Sequence, residues 1–365
     1  MKKLIKIFGL PSHQTEERTS GVDFVRIIQP MKFLDGYEDD EVKFKVDVYD
    51  IHTKQPSWLD IAKKYDIIFL NYIGNPWTFA GMGAMARHYK RKIVMDTDDD
   101  IHSIMPDNPV YKSYQENDGL ALKDLTAIYN EVDYITCTTK YLKNVLLTRS
   151  TKTSKQIEVL PNYIDIDTLY THRSPFKDTH SIQLYHYGST THFMDLDEKE
   201  FAKGIDMVFK NYPNVTLKTV GAFLPKYKER WGQRYTNAYG DTDIYKWIKE
   251  KFPLFMDESD IMVVPLLDGQ YTRSKSANKF LESSSAKKPG VYQNMKQYRD
   301  IVYEGRNGFL ATRSEDWYNA ISKLIEDKKL RQNMGEEAFK TVKIDHQMKD
   351  NVWRYAEFFK RVLAS

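Results

Sequence analysis

Short apolar segments alternate with longer helical segments along most of the chain, and this alternation restricts the fold more than any other feature. In residues 1–172 the predicted strands are Leu4–Phe8, Phe44–Tyr49, Asp66–Leu70, Lys92–Met95, Tyr134–Thr136 and Ile157–Leu160. Predicted helices lie between them, for example Val22–Leu34 and Trp58–Lys64, where apolar residues recur at helical spacing. Mostly apolar strands separated by helices are typical of a parallel, doubly wound α/β sheet.

The pattern stops at Pro161–Ser174, which is predicted to connect two domains, and then restarts. The second set of strands is predicted at Ile182–Tyr187, Thr216–Val220, Ile261–Pro265 and Gly290–Tyr292, and helices are predicted at Lys199–Lys210, Trp317–Asp327, Leu330–Lys343 and Met348–Leu363. A length of 365 residues also exceeds one average domain of roughly 150. We therefore predict two Rossmann-like domains, 1–170 and 171–344, with a ligand-binding cleft beyond the carboxyl ends of their strands.

The composition excludes several classes of protein. A single cysteine, Cys137, rules out an internal disulfide framework and a cysteine-based zinc site, and it fits a reducing cytoplasm. Met1–Leu10 begins like a signal peptide, but its apolar run is too short and no cleavage site follows, so we predict a first strand instead. No segment of the sequence approaches the length of a membrane span.

Charge is distributed unevenly over the two predicted domains. Residues 1–172 carry 22 Lys and Arg against 25 Asp and Glu, whereas the remainder carries 32 against 26. An acidic first half and a basic second half favour an anionic ligand that is held mainly by the second domain. The excess is too small to indicate a dedicated nucleic-acid-binding protein.

The segment Asp260–Val291 holds the densest group of candidate binding residues. A short apolar strand is followed by a polar, glycine-containing loop and then by a helix predicted over Ser274–Lys287. Lys275, Lys279 and Glu282 are spaced i, i+4 and i+7, so this helix would place all three side chains on one face.

This helix face predicts an anion site. Two lysines near a helix N-terminus, with Arg273 just before them, would combine point charges with backbone N–H groups and the helix dipole. Glu282 would repel the same anion and instead suits a neutral diol such as a ribose. The alternative is a solvated basic face on which Glu282 merely pairs with Lys279.

A second candidate is the loop Tyr187–His192, which directly follows a predicted strand. Gly188 allows the backbone to turn tightly there. Ser189, Thr190 and Thr191 then offer hydroxyl donors to phosphate or sugar oxygens. The alternative is an ordinary Ser/Thr turn that caps the next helix.

A third candidate is Asp96–Asp100, where four carboxylates fall within five positions after a predicted strand. Their mutual repulsion predicts a raised pKa for at least one of them, or a bound divalent cation. Two alternatives remain: acids that complement a helix dipole, and carboxylates that accept hydrogen bonds from sugar or acceptor hydroxyls. His102 is assigned to this site only weakly, because a lone histidine is more often a local hydrogen-bonding residue.

Two glycine-containing stretches are ambiguous. Gly81–Ala86 matches the pattern GxGxxA, but a dinucleotide fingerprint must follow its strand immediately, so we interpret the match as accidental. Gly21 could bring backbone N–H groups close to a phosphate, although a helix N-cap at Ser20 or Asp23 explains the same residues. Sequence motifs of P-loop, zinc-protease, thiol-redox and nucleophile-elbow proteins are absent.

The chain as a whole resembles the retaining, nucleotide-sugar-dependent glycosyltransferases of the GT-B fold that are called family 4. The resemblance is carried, in this order, by SGVDFVRIIQPMKFL, IVMDTDDDI, DYITCTTKYL, VLPNYID, YHYGSTTH and DIMVVPLLD followed by KSANKFLESSSAKKPGV. Subgroups with a triple-acid stretch and a GSxTH loop, some of them phage-encoded, look especially similar. The resemblance implies that a terminal helix, residues 345–365, packs back on the first domain.

The resemblance also implies roles for individual residues. Glu282 matches the final Glu of the E-x7-E motif, which holds the nucleotide ribose, whereas the first Glu of that motif falls on Ser274 and leaves the donor sugar in doubt. The loop after the first strand of the second domain contacts phosphates, and basic residues clamp the diphosphate. The predicted nucleotide-sugar-binding residues are Gly21, Gly188, Ser189, Thr190, His192, Ser274, Ser276, Lys279 and Glu282, and the predicted catalytic residues are Asp98, Asp99, Arg273 and Lys275.

The implied reaction is that of a hexosyltransferase-like enzyme. A sugar moves from a nucleotide diphosphate, UDP or GDP first of all, to an acceptor hydroxyl, while cations stabilise the charge that develops on the diphosphate. Retention without an enzyme nucleophile implies front-face attack, in which the departing phosphate takes the acceptor's proton. No metal or cofactor is then required, and Asp98 and Asp99 are expected to line the acceptor or sugar pocket. The enzyme is expected in the cytoplasm, that of the host if a phage encodes it.

The acceptor and the exact activity stay open. The acceptor is a glycan, a small molecule or a modified DNA base; a nucleotide-sugar epimerase and a non-catalytic nucleotide-sugar binder are further alternatives. Aromatic and basic residues interleave in Phe223–Tyr235, which would suit a phage DNA glycosyltransferase acting on hydroxylated bases. That segment has its own alternative, an amphipathic surface stretch that packs Trp231 inward.

Overall fold

The computed structural model of the chain describes residues 2–12, 15, 17–54, 56–71, 76–108, 110–176, 181–189, 192–238 and 243–364. Within these ranges the chain forms two six-stranded sheets, and the strand pairs in both are parallel. The α/β fold predicted from the alternation of strands and helices is therefore confirmed. No helix in these ranges is long and apolar enough to cross a membrane.

The first sheet is built from residues 3–159. It contains β1 (Lys3–Leu10), β2 (Val42–Val48), β3 (Ile67–Asn71), β4 (Lys92–Thr97), β5 (Tyr134–Cys137) and β6 (Ile157–Val159), in the order β2-β1-β3-β4-β5-β6. Each predicted strand of this half overlaps an observed one, because both faces of a parallel sheet are covered and its strands are correspondingly apolar.

The second sheet follows the same plan. It contains β7 (Ile182–Gly188), β8 (Val215–Gly221), β9 (Tyr235–Ala238), β10 (Ile261–Val264), β11 (Gly290–Gln293) and β12 (Phe309–Ala311), in the order β12-β11-β10-β7-β8-β9. β9 and β12 were not predicted. They are the two edge strands, and short edge strands lack the continuous apolar run that marks a central strand.

Helices cover both sheets. In the first half they span Gly21–Asp23, Gln29–Leu34, Trp58–Lys64, Pro76–His88, Tyr111–Glu131 and Lys140–Arg149, with a π-helical turn at Phe24–Ile28 and a 3-10 turn at Ile101–Ser103. In the second half they span Phe193–Leu196, Lys199–Asn211, Pro225–Trp231, Ile244–Lys246, Phe252–Glu258, Gln270–Ser274, Asn278–Ser285, Lys296–Arg299, Ser314–Glu326, Lys328–Asp345 and Met348–Ala364, with a 3-10 turn at Gly232–Arg234 and a π-helical turn at Trp247–Lys251. Gly81 and Gly83 lie inside the helix Pro76–His88, so the GxGxxA match is accidental, as predicted.

The last helix, Met348–Ala364, packs on the first sheet and not on the second. Its buried side chains join the cluster formed by β1, β2 and β3. Phe359, for example, lies edge-on to Phe69 with ring centroids 5.3 Å apart. The predicted return of the terminal helix to the first domain is confirmed.

The connecting segment Pro161–Ser174 is packed into the junction between the two halves. Tyr163, Ile164 and Tyr170 are buried. The backbone N–H of Ile164 donates to His346, and that of Met348 donates to Ile164. The segment therefore contacts the start of the last helix, and both connections between the halves lie side by side.

Candidate active site

The helix predicted over Ser274–Lys287 begins only at Asn278, and Ser274 ends a separate helix, so the predicted start was wrong. The first helix ends at Ser274, and the second spans Asn278–Ser285. Lys275 between them has extended backbone, with ψ at 152°. Lys275 and Lys279 therefore do not share a helical face, although both still point into the junction between the two sheets.

Hydrogen bonds from the first domain hold this break. The Ser274 hydroxyl accepts from the Asp100 N–H at 3.1 Å, and the Ser274 carbonyl accepts from the Thr139 hydroxyl at 3.1 Å. The Asn162 amide donates to the Ser276 hydroxyl at 2.8 Å and to the Asn278 side-chain oxygen at 2.7 Å. Contacts distant in sequence therefore override the local preference for a continuous helix, which is why spacing alone could not reveal the break.

Lys275 forms a cluster with a carboxylate of the first domain. Its Nζ lies 3.3 Å from Oδ2 of Asp99, and the Tyr271 hydroxyl donates to the same oxygen at 3.0 Å. Burial disfavours the charged form of Lys275, but the charge of Asp99 outweighs burial and raises the pKa of Lys275 above its ordinary value. Lys275 is thus a fixed cation that joins the two domains.

Lys279 lies at the end of a chain of three polar side chains. The Lys279 Nζ is 3.1 Å from Nε2 of His192, and Nδ1 of His192 is 2.8 Å from Oδ2 of Asp195. Burial, followed by repulsion from Lys279 and Lys275, lowers the pKa of His192 well below its ordinary value, so this imidazole is neutral. Its Nδ1–H therefore donates to Asp195, and its Nε2 accepts from Lys279.

The same environment makes Lys279 an unusual cation. Burial first, and then repulsion from Lys275, lower its pKa from 10.5 to about 8. A bound anion at this point would relieve both effects. Asp195, which also accepts from the Leu267 N–H at 3.2 Å, was missed by sequence reasoning. The signal available was its position three residues after His192, one helical turn away.

Glu282 is held by two phenols. Tyr170 donates to Oε1 and Tyr187 donates to Oε2, each at 2.9 Å. Burial raises the pKa of Glu282, against the effect of these two bonds and of Lys279. Because Lys279 contacts His192 and Glu282 contacts tyrosines, the alternative of a surface Lys279–Glu282 pair is wrong.

The glycine loop lies against the same cluster. A Cβ on Gly188 would come within 2.7 Å of Cδ2 of His192, and the Ser189 carbonyl accepts from the His192 N–H at 3.0 Å. Gly221, at the end of the neighbouring strand, has φ +82° and would place a Cβ 2.0 Å from the Gly188 carbonyl oxygen. Only glycine fits there. Thr190 lies outside the described residues.

The carboxylates of Asp96–Asp100 are directed to different partners. Asp96 accepts two bonds from Arg26, at 2.9 and 2.7 Å, in a fully buried ion pair. Asp100 pairs with Arg149 at 3.1 Å. Among the described residues no group of three His, Cys, Asp or Glu is arranged to hold a metal ion.

Asp98 carries the raised pKa that the cluster predicts. Burial, followed by the charges of Asp99 and Asp96, raises the pKa of Asp98 to about 7. A short 3-10 turn, not a long helix, follows the cluster, so the helix-dipole alternative is wrong. His102 bonds the Leu122 carbonyl and the Thr126 hydroxyl, as expected for a local hydrogen-bonding residue.

Three other predicted features lie away from this cluster. Arg273 is half exposed and pairs with Asp268, with two bonds of 2.6 Å. Gly21 begins a helix capped by Ser20, and a Cβ on Gly21 would lie 3.8 Å from Cδ1 of Ile244 in the second domain. In Phe223–Tyr235 the aromatic rings Tyr227, Trp231 and Tyr235 are buried in the second core, so they are not available to stack on bases. The inward packing of Trp231 is confirmed.

Comparison with known proteins adds independent information. Residues 198–327 match the model of the family Glycosyl transferases group 1, whereas no curated protein matches the sequence. Anabaena HepE, solved in complex with UDP-glucose, has a TM-score of 0.65 at 13% identity over 98% of this chain and 100% of that chain. Sucrose-phosphate synthase from Thermosynechococcus elongatus has a TM-score of 0.59 at 13% identity over 100% of both chains. The fold is GT-B.

A third structure is S. aureus TarM, a variant solved with Fondaparinux, alpha-GlcNAc-glycerol and UDP. It has a TM-score of 0.59 at 13% identity and covers 80% of this chain, which spans only 55% of TarM. The family match is confined to residues 198–327, and the solved structures share the GT-B fold with this chain. In this GT-B chain the predicted donor residues Lys275, Lys279 and Glu282 lie at the carboxyl edge of the second sheet, opposite Asp98 and Asp99 of the first.

Proposed function

We propose that the protein is a glycosyltransferase that transfers a sugar from a nucleotide diphosphate to an acceptor hydroxyl. The observation that carries this proposal is the pair of lysines at the edge where the two sheets face each other: Lys275, whose side chain is 12% exposed, and Lys279, which is buried. When the bond between the sugar and the diphosphate breaks, its electrons move to a phosphate oxygen. Two cations in a desolvated junction stabilise that charge far better than they would in water.

The donor is a UDP- or GDP-sugar in this proposal. The N-terminus of the helix Asn278–Ser285 adds its dipole to the lysine charges, since Lys279 lies in its first turn. Glu282 lies one turn further along the same helix, about 4.5 Å along its axis, and accepts the ribose hydroxyls. HepE and TarM, which share the fold, were solved with UDP-glucose and UDP respectively.

Binding requires the junction to open. The gap beside Glu282 and Tyr170 has a volume of about 10 Å³, which is about the space of a single water molecule. The proposed donor domain comprises residues 171–344 and the proposed acceptor domain residues 1–170. Separation of the two would break the contacts of Lys275 with Asp99 and of Ser274 with Asp100, which frees Lys275 for the diphosphate.

Transfer proceeds with retention and without a metal in this proposal. Lysine ammonium groups supply the positive charge at the diphosphate, the departing phosphate takes the acceptor's proton, and Asp98 and Asp99 accept hydrogen bonds from the acceptor or the sugar. Full turnover in EDTA, together with loss of turnover in Asp98→Asn, would agree with this. Strict dependence on added Mn²⁺, or transfer with inverted configuration, would contradict it.

A thermal-shift screen with UDP, GDP, ADP and their sugars tests the donor site. A ligand present at 100 times its Kd stabilises the folded protein by about 2.7 kcal/mol. We expect a shift with at least one nucleotide diphosphate and its absence in Lys275→Met combined with Lys279→Met. A glycan, a small molecule and a modified DNA base are the candidate acceptors, and the burial of Tyr227, Trp231 and Tyr235 argues against the DNA base. We also place the enzyme in the cytoplasm, where a lone buried Cys137 stays reduced.

A further inference from the structure

The carboxylate of Glu282 is held in one orientation. Each of its two oxygens accepts one phenol proton, from Tyr170 and from Tyr187, at 2.9 Å. A carboxylate has about four acceptor positions. No other described side chain donates to Glu282, so among these residues one acceptor position on each oxygen has no donor.

The two tyrosines are themselves immobilised. The ring of Phe252, which is fully buried, lies edge-on to Tyr170 at 5.5 Å and to Tyr187 at 6.4 Å. Trp247 packs against Tyr187 with centroids 5.7 Å apart. The phenols therefore act as rigid supports, since a side chain fixed by packing holds its hydrogen-bonding partner in place.

We propose that Tyr170 and Tyr187 are positioning residues that aim Glu282 at a vicinal diol, so that the site selects ribonucleoside diphosphates over their 2′-deoxy analogues. This inference depends on the donor site proposed above. A ribose presents two adjacent hydroxyls, which match one free acceptor position on each carboxylate oxygen. A 2′-deoxyribose presents only one, so the ligand would cover one free acceptor position of a partly buried carboxylate without filling it, which is costly. Donors built on thymidine diphosphate are thereby disfavoured.

The position of Tyr170 adds a second consequence. This residue belongs to the segment Pro161–Ser174 that connects the domains, whereas Tyr187 and Glu282 belong to the second domain. A displacement of the connecting segment during opening would release Oε1 of Glu282 while Oε2 stays bonded. The positioning role of Tyr170 therefore requires that the connecting segment keeps its place beside Glu282 while the rest of the junction opens.

Isothermal titration with UDP, dUDP, GDP and dGDP tests the inference, because each pair differs only in the 2′-hydroxyl. We expect the wild-type protein to bind the ribonucleotide at least about tenfold more tightly, the equivalent of one charge-assisted hydrogen bond. In Tyr170→Phe and Tyr187→Phe we expect the ratio to fall below about threefold. Tyr185→Phe is the matched control: Tyr185 is equally buried on the same strand, its hydroxyl has no partner among the described residues, and its ratio should equal that of the wild type.

The outcomes separate the two proposals. Equal affinity of the wild type for UDP and dUDP, and for GDP and dGDP, overturns ribose selection while the donor site stands. If the tyrosines only stabilise the fold, their variants should bind the ribonucleotide and its 2′-deoxy analogue more weakly by the same factor. An unchanged ratio of the two affinities would therefore overturn the positioning role. Thermal unfolding of each variant identifies one that has lost its fold, and the wild-type comparison does not depend on any variant. Failure of all four nucleotides to bind overturns the donor site itself.

Discussion

The affinity for a nucleoside diphosphate should fall steeply as the pH rises above 8, because Lys279 loses its proton in that range. Its pKa is lowered to about 8 by burial and by Lys275. A bound diphosphate favours the protonated amine, so binding is strongest below pH 8 and weakens as the amine is deprotonated. From pH 7.5 to 9.5 the protonated fraction falls roughly 25-fold, which corresponds to about 1.9 kcal/mol of binding free energy.

The neighbouring titratable groups would not produce the same dependence of affinity on pH between 7.5 and 9.5. The pKa of Lys275 is raised above its ordinary value, so Lys275 stays charged throughout this range, and that of His192 is lowered, so His192 stays neutral. Asp98, with a pKa of about 7, loses most of its proton below pH 7.5. The terminal phosphate of UDP, whose last pKa resembles that of a phosphate ester near 6, is fully ionised.

Titration calorimetry with UDP at a series of pH values measures this effect. The variant Lys279→Met should bind weakly with no slope between pH 7.5 and 9.5, and Lys279→Arg should bind well with no slope, because arginine keeps its charge. An unchanged slope in Lys279→Met would show that another group titrates, and a flat profile in the wild type would refute the lowered pKa of Lys279.

Three further experiments test residues that shape the site or bind the diphosphate. Gly221→Ala should lower the free energy of unfolding by at least about 2 kcal/mol, because it adds a clash with the Gly188 carbonyl to an unfavourable φ. Gly232 is the control: its φ is +57°, and a Cβ added there would have no neighbour within 4 Å. Gly232→Ala should therefore lower the free energy of unfolding by less in the same denaturant titration. Asn162→Ala removes hydrogen bonds to Arg26, Ser276 and Asn278. It should lower the free energy of unfolding by roughly 3 kcal/mol and also weaken UDP binding. If neither quantity changes, Asn162 does not support the site. In calorimetry, Arg273→Ala should change UDP affinity by less than threefold, because Arg273 pairs with Asp268 at the surface. Lys275→Met should change it by more than tenfold. A larger effect of Arg273→Ala than of Lys275→Met would show that Arg273 binds the diphosphate.

The sequence predicted the two-sheet architecture because buried parallel strands carry a signal that is local. Each central strand, such as Ile67–Asn71, is a short apolar run that stands out from its neighbours. The order of the strands and the break after Ser274 have no such signal. The break depends on Asp100, Thr139 and Asn162, which are 114 or more residues away in sequence from the residues that they contact.

The sequence predicted the charged residues of the candidate site but not the side chains that hydrogen-bond to them. Lys275, Lys279 and Glu282 stand out because charged residues cluster in a short stretch. Asp195 and Tyr170 do not, since one acidic or aromatic residue in a helix or connecting segment has many ordinary explanations. Their roles depend on which side chains face them, and only the fold determines that.

The interrupted helix between Gln270 and Ser285 limits how this protein can be recombined with others. Exchanging whole halves between glycosyltransferases of this fold is an attractive way to mix donor and acceptor preferences. Here the backbone that presents Lys275 takes its form from Asp100, Thr139 and Asn162 of the other half. A chimera that keeps residues 171–344 but replaces the first half must therefore reproduce the backbone N–H at position 100 and the side chains of Thr139 and Asn162. Otherwise the grafted half will present a continuous helix and a misplaced lysine.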